Sequence, residues 1–166
     1  IDLKDGSCVR LTKGDFNEKT IYETDPIKQA QAFADAGARW IHIVDLDGAQ
    51  KTHVAQTELI ASMIKAAGDV KIQVGGGIRS EDDIQKLLNA GAARVIIGSL
   101  AAQNPDLVIE WLSKFGGDKI VVALDVRLNN EGTPEVLTSG WQEGSELSLW
   151  SLLDLYKDSP LKTILC

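Results

Sequence analysis

A chain of 166 residues with 44% hydrophobic content can bury the core of one ordinary soluble domain, which excludes intrinsic disorder. A formal charge of −7, from 17 Lys and Arg against 24 Asp and Glu, argues against nucleic acid and anionic membranes as partners, because both need a concentrated basic surface. No run approaches the roughly 20 apolar residues of a membrane span, no secretory signal is recognisable, and Cys8 and Cys166 make neither a disulfide framework nor a metal cluster, so free thiols in the cytoplasm are expected.

The chain opens at Ile1-Asp2 without Met and stops in an apolar, strand-like run, so it is expected to be incomplete at both ends. Cys8–Leu11 and Thr20–Tyr22 flank a polar Lys13–Lys19 segment, which suggests an early ribbon or a loop. Asp25-Pro26 then supplies an N-cap with proline at the first helical position, and Ile27, Ala30, Phe33 and Ala34 form a helical stripe ending at Gly37. A strand follows over Trp40–Leu46, then a helix over Thr57–Ala67 stopped by Gly68, then a buried strand over Val70–Val74 that runs into three glycines. Ser80 and Asp83 form a capping-box pattern for a helix with the stripe Ile84, Leu87 and Leu88, after which Val95–Ile97 reads as a strand. Asn104-Pro105 starts another helix, Ile120–Val126 is the most strand-like run in the chain, and a last helix over Leu149–Tyr156 leads into Leu161–Cys166.

Strands alternating with amphipathic helices imply parallel strands and an α/β fold. An open doubly wound sheet predicts a glycine-rich nucleotide fingerprint after the first strand, but the turn there is Leu3-Lys4-Asp5-Gly6. A (β/α)₈ barrel gathers functional residues at the C-terminal ends of its strands, and here those ends carry Asp2, Asp45, Gly75–Gly77, Gly98-Ser99 and Asp125. The expectation is therefore a single barrel domain over 1–166, covering about the first five βα units and the start of a sixth strand.

Asp2 and Asp125 are the candidate acid–base pair. In an eight-stranded barrel the first and fifth strands lie on opposite sides of the mouth, so one carboxyl could remove a proton while the other delivers one. Each could instead cap a turn or pair with an arginine. Gly76, Gly77, Gly98 and Ser99 are candidates for holding a phosphate through backbone N–H groups, although glycine triplets also make simple βα turns. Arg10 and Arg79 are the cations placed to face an anionic ligand or, equally, solvent. Trp141, in a polar glycine-containing loop, could stack on a planar heterocycle. Trp40, Trp111 and Trp150 fit core stripes, while His42 and His53 fit structural roles.

Taken in order, Ile1-Asp2-Leu3-Lys4-Asp5-Gly6, Val9-Arg10-Leu11, Val44-Asp45-Leu46-Asp47-Gly48-Ala49, Gly75-Gly76-Gly77-Ile78-Arg79-Ser80, Ile97-Gly98-Ser99, Leu124-Asp125-Val126-Arg127 and Gly140-Trp141 resemble the phosphoribosylformimino-aminoimidazole-carboxamide ribotide isomerases of histidine biosynthesis. The resemblance covers the whole chain. It implies a (β/α)₈ barrel performing an Amadori rearrangement of a bis-phosphorylated ribotide, with Asp2 as the base at C2 and Asp125 as the acid at the ribose ring oxygen. It also implies that Gly76, Gly77, Gly98 and Ser99 hold one substrate phosphate; Arg10, Asp45, Arg79 and Trp141 are further candidates for substrate binding, and the chemistry requires no metal or redox cofactor. The full-length protein is expected to be a monomer. The second phosphate site of the family, built after strands seven and eight, falls outside this sequence.

Two enzyme alternatives bear on substrate choice. The sister cyclase of the same pathway normally carries Cys-Leu-Asp-Val in its first strand and a lysine after its fifth, unlike the motifs here. A bifunctional isomerase that also takes phosphoribosylanthranilate is compatible with the segments present. A third reading, from another class, is a half-barrel that binds phosphorylated ligands without turnover.

Overall fold

The computed structural model describes residues 1–12, 15–22, 25–137 and 147–166. The fold is α/β with mostly parallel strand pairing, and the chain divides into two compact units, Ile1–Val95 and Ile96–Cys166.

In the first unit, β1 (Asp2–Lys4) and β2 (Ser7–Thr12) form an antiparallel hairpin, with β3 (Asp15–Ile21) paired antiparallel to β2. Asp15–Lys19, the described part of the polar segment, is therefore strand in a ribbon, and Lys13 lies outside the described residues. Its first turn is Asp5-Gly6, with φ of 50° and 74°, the pair of left-handed residues that a two-residue hairpin requires. Helix α1 (Pro26–Asp35) starts where expected, with the Asp25 carboxylate accepting from the amides of Ile27 and Lys28 at 2.9 and 3.1 Å. Strand β4 (Trp40–Asp45) lies between β1 and β5 (Lys71–Gly75), parallel to both. Short α2 (Leu46–Lys51) and longer α3 (Thr57–Ala67) connect β4 to β5. Helix α4 (Glu81–Asn89) carries the capping box formed by Ser80 and Asp83, and β6 (Arg94–Ile97) follows.

Alternation along β4 and β5 separates two faces. Ile41, Ile43, Ile72 and Val74 are at most 4% exposed and form the core with Leu3, while α3 contributes Ile60 and Met63 and α4 contributes Ile84 and Leu87. Each such side chain removed from water stabilises the fold by about 1.5–3 kcal/mol. The opposite face carries Asp2, His42, Val44 and Gln73, all only partly buried. A polar, half-covered second face is the surface on which a ligand can be handled.

In the second unit, α5 (Ser99–Gln103) and α6 (Pro105–Phe115) precede β7 (Ile120–Ala123), which pairs parallel with β10 (Ile164–Leu165). Between them stand the hairpin β8 (Val126–Leu128) with β9 (Pro134–Val136), and α7 (Leu149–Tyr156).

Several expectations are corrected. Leu46 opens α2 instead of ending the preceding strand, because the Asp45 side chain caps that helix through the Gly48 amide. The run Ile120–Val126 is not one strand: β7 stops at Ala123, and Val126 begins a hairpin that pairs with β9. Trp111 is core at 2% exposed, but Trp40 and Trp150 are 41% and 62% exposed. Trp40 sits at the start of β4, where Arg94 and Lys71 lie 4.1 and 5.5 Å from its ring centroid. Contact with these cations suits a half-exposed aromatic better than a core position does.

Candidate active site

Asp2 stands in a row of three parallel neighbours. It pairs with Val44 of β4, and Val44 pairs with Gly75 of β5, so the carboxyl-bearing position shares a register line with the start of the glycine turn. Asp2 is partly buried and borders a cavity of about 380 Å³, together with Val9, Arg10 and Tyr22. Arg10 borders the same cavity, one residue beyond Val9, the position paired with Asp2.

Two residues below Val44 on this face, His42 belongs to a fixed polar chain. Arg94 Nε donates to Gln73 Oε1 at 2.8 Å, and Gln73 Nε2 lies 2.9 Å from His42 Nδ1. Arginine has no acceptor, so the amide oxygen must face it and the amide N–H₂ must face the imidazole. His42 Nδ1 therefore accepts, and the ring proton sits on Nε2. Burial pushes the proton affinity of the ring down, against the pull of Asp2, which agrees with a neutral imidazole. His53 is exposed, with Nδ1 at 3.0 Å from the Lys51 carbonyl oxygen.

Asp45, a candidate for substrate binding, is held by its own loop. It is 0% exposed, and its two carboxylate oxygens accept from the amides of Gly48, Ala55 and Gln56 at 2.9, 2.8 and 3.1 Å and from Gln56 Nε2 at 2.9 Å. A carboxylate surrounded by four donors of its own segment is a structural anchor for the β4–α3 connection. Gln56 extends the anchor by donating to the Leu3 carbonyl and accepting from the Gly6 amide, while Asp47 accepts from the Asp5 amide at 2.8 Å. The turns after β1 and β4 are thus bound into one assembly.

The glycine turn packs against that assembly. Gly76 has φ +108° and Gly77 φ +76°, and a Cβ on Gly76 would fall on the backbone of Asp45, one on Gly77 on the backbone of Gly48. Both conformation and space require glycine here. Arg79 follows, donating from Nη1 to the Ile78 carbonyl at 3.2 Å, with its amide bound to the Asp83 carboxylate at 3.1 Å.

In the second unit, Gly98, Ser99, Ala102 and Asp125 line a cavity of about 110 Å³. Gly98 has open space where a Cβ would be, unlike Gly76 and Gly77. Asp125 is exposed at the end of the β7 strand path, and its carbonyl accepts from the Leu137 amide at 2.7 Å, which ties it to the β8–β9 hairpin. Asp125, Gly98 and Ser99 are therefore brought together on one cavity, and Asp2 and Arg10 on another. Trp141 lies outside the described residues.

Sequence reasoning missed Gln56, Asp47 and the buried Glu135, whose carboxylate accepts from Asn129 Nδ2 at 2.9 Å. Polar residues inside loops give no periodic signal, and only the Asp-x-Asp-Gly spacing of Asp45, Asp47 and Gly48 hinted at a capped turn. Among the described residues, no group of three or more His, Cys, Asp or Glu is arranged to hold a metal ion, and no helix is long and apolar enough to cross a membrane.

The family model described as "Histidine biosynthesis protein" matches residues 1–166. The chain is 47% identical over 166 residues to a protein of Aliivibrio fischeri named 1-(5-phosphoribosyl)-5-((5-phosphoribosylamino)methylideneamino)imidazole-4-carboxamide isomerase, covering 100% of this chain and 67% of that one. Proteins of the same name from Pseudoalteromonas atlantica and Vibrio cholerae are 48% and 45% identical over the whole chain, which spans 68% and 67% of their lengths. The chain thus spans about two thirds of these relatives, and it belongs to the histidine biosynthesis protein family.

Proposed function

We propose that this chain is the larger part of an aldose–ketose isomerase of histidine biosynthesis, which converts the aminoaldose ribotide named in its relatives into the aminoketose by an Amadori rearrangement. The observation that carries the reading is the agreement of whole-chain identity near one half with relatives bearing a single activity name. The fold we propose for the complete protein is a (β/α)₈ barrel, of which this chain supplies about the first five βα units and the start of strand six. Parallel pairing of β1, β4 and β5 supports it, with Asp2, the first residue of β1, in register with Val44 and Gly75 near the C-terminal ends of β4 and β5.

In the proposed chemistry, Asp125 in its acid form protonates the ribose ring oxygen. The bond from that oxygen to C1 breaks as the amine lone pair forms a protonated C1=N imine. Asp2 as carboxylate removes the C2 proton, and the C2–H electrons become the C1=C2 bond of an enolamine. The C2 hydroxyl then becomes the ketone as C1 takes a proton, so the product is an isomer of the substrate and no oxidant or reductant enters. The location of Asp2 and Asp125 at strand ends, each on a cavity, supports these roles. Gly98 and Ser99 hold a substrate phosphate through their backbone and hydroxyl, with Gly76 and Gly77 shaping the turn after β5 and Arg10, Arg79 and Trp141 contributing to substrate binding. Asp45 acts indirectly, by holding the turn against which Gly76 packs. The same reading puts the enzyme in the cytoplasm as a monomer without metal or cofactor, and its unpaired cysteines fit a reducing compartment.

The test is an absorbance assay of the natural protein with the aminoaldose ribotide, run beside phosphoribosylanthranilate. Conversion of the first supports the reading, conversion of both broadens it to the bifunctional isomerase, and conversion of neither overturns it.

A further inference from the structure

We propose that Tyr156 is a positioning residue for phosphate binding: from α7 it holds α5, the short helix that begins at Ser99, by a buried hydrogen bond to the Ala101 carbonyl. The inference rests on the reading that Gly98 and Ser99 hold a substrate phosphate.

Helix α5 has five residues and ends where the Asn104 amide bonds to the Leu100 carbonyl at 2.8 Å. The next donor an uninterrupted helix would supply is the amide of residue 105, four positions beyond Ala101. That residue is Pro105, which has no N–H, and Asn104, with φ −144° and ψ 71°, has already left the helical conformation. Ala101 is 0% exposed, so water is not at hand for its carbonyl. Tyr156, 3% exposed, fills the vacant place: its hydroxyl donates to Ala101 O at 2.7 Å. Burial drives the phenol's proton affinity upward, with Asp106 adding to the effect, so the hydroxyl remains a donor across the physiological range.

The tether matters for the site because Ala102 and Ser99 flank Ala101 on the same short turn and line the cavity with Gly98 and Asp125. A helix of this length has little stability of its own. Removing one oxygen at Tyr156 leaves the Ala101 carbonyl buried and unpaired, and the turn can regain a partner only by shifting, which moves Ser99.

The experiment is Tyr156→Phe in the natural protein, a change that keeps the packed ring and deletes only the donor. Expected are a rise of about three- to tenfold in KM for the ribotide and in the inhibition constant of inorganic phosphate, with kcat changed less than about twofold. Amide exchange at 99–102 should accelerate, and saturating phosphate should slow it again. A Tyr156 that serves stability alone would lower Tm and leave both constants where they were, and that result overturns the proposal, as does unchanged exchange at 99–102. If wild-type protein neither turns over the ribotide nor binds phosphate, the underlying phosphate reading fails, and the tether's role fails with it.

Discussion

The backbone of Gly76 lies directly against the backbone of Asp45, so close that a methyl group on Gly76 would occupy the place of the Asp45 carbonyl oxygen. Gly76 also holds φ +108°, a region that L residues rarely adopt. Gly76→Ala should therefore destabilise the protein by about 3 kcal/mol or more, measured by urea denaturation. A loss under about 1 kcal/mol would mean that the two turns can separate without cost.

The Asp45 carboxylate accepts four hydrogen bonds while fully buried. In Asp45→Asn, an N–H₂ replaces one of the accepting oxygens and meets amide donors head-on, and bonds to a charged acceptor are worth about 1.5–3 kcal/mol each. A destabilisation of roughly 2–4 kcal/mol is expected. An Asn variant with wild-type stability and impaired catalysis alone would return Asp45 to the substrate.

Gly98 offers the opposite case. Its φ is −91° and a Cβ there meets nothing within 4 Å, so Gly98→Ala should cost at most about 1 kcal/mol of stability. The methyl nevertheless enters the cavity assigned to phosphate. KM for the ribotide should rise at least about tenfold, the equivalent of one lost bond to a charged group, and an unchanged KM would remove Gly98 from phosphate binding.

Burial lowers the proton affinity of His42 from its free value of 6.5. Below about 6.5 the folded state thus binds fewer protons than the unfolded chain, so the stability tied to a neutral His42 is complete above 6.5 and is lost as pH falls below it. Denaturation midpoints at pH 7.5 and 5.5 should fall apart more in wild type than in His42→Gln. Equal pH dependence in the two proteins would show that His42 titrates as it does in the unfolded chain.

The parts of the fold written in local patterns were legible. Asp25-Pro26, the Ser80 and Asp83 capping box, Asn104-Pro105 and the helix Leu149–Tyr156 all rest on short-range rules that the surroundings did not override. Helices α2 and α5 were not legible, because five or six residues cannot display a helical period; α2 is opened by the local Asp45 cap, and only α5 is met by a long-range bond, from the Tyr156 hydroxyl. Strand ends also deceived. Leu46 and Val126 have strand-like side chains but were assigned by propensity alone, and the cap at Asp45 and the hairpin with β9 decide otherwise. The order of motifs singled out Asp2, Asp125, Gly98 and Ser99, which the structure puts on two cavities, whereas the hydrogen bonds of Asp45 to its own loop needed coordinates, since a strand-end aspartate reads the same whether it faces a ligand or its own loop.

The central claim is that Asp2 and Asp125 carry the proton transfers of an isomerase. Its most direct test is steady-state turnover of the aminoaldose ribotide by Asp2→Asn and Asp125→Asn in the natural protein, beside their circular dichroism and melting curves. Both variants should fold as wild type does, and each should lose at least about 10²-fold in kcat. Near-normal turnover by either folded variant would contradict the account.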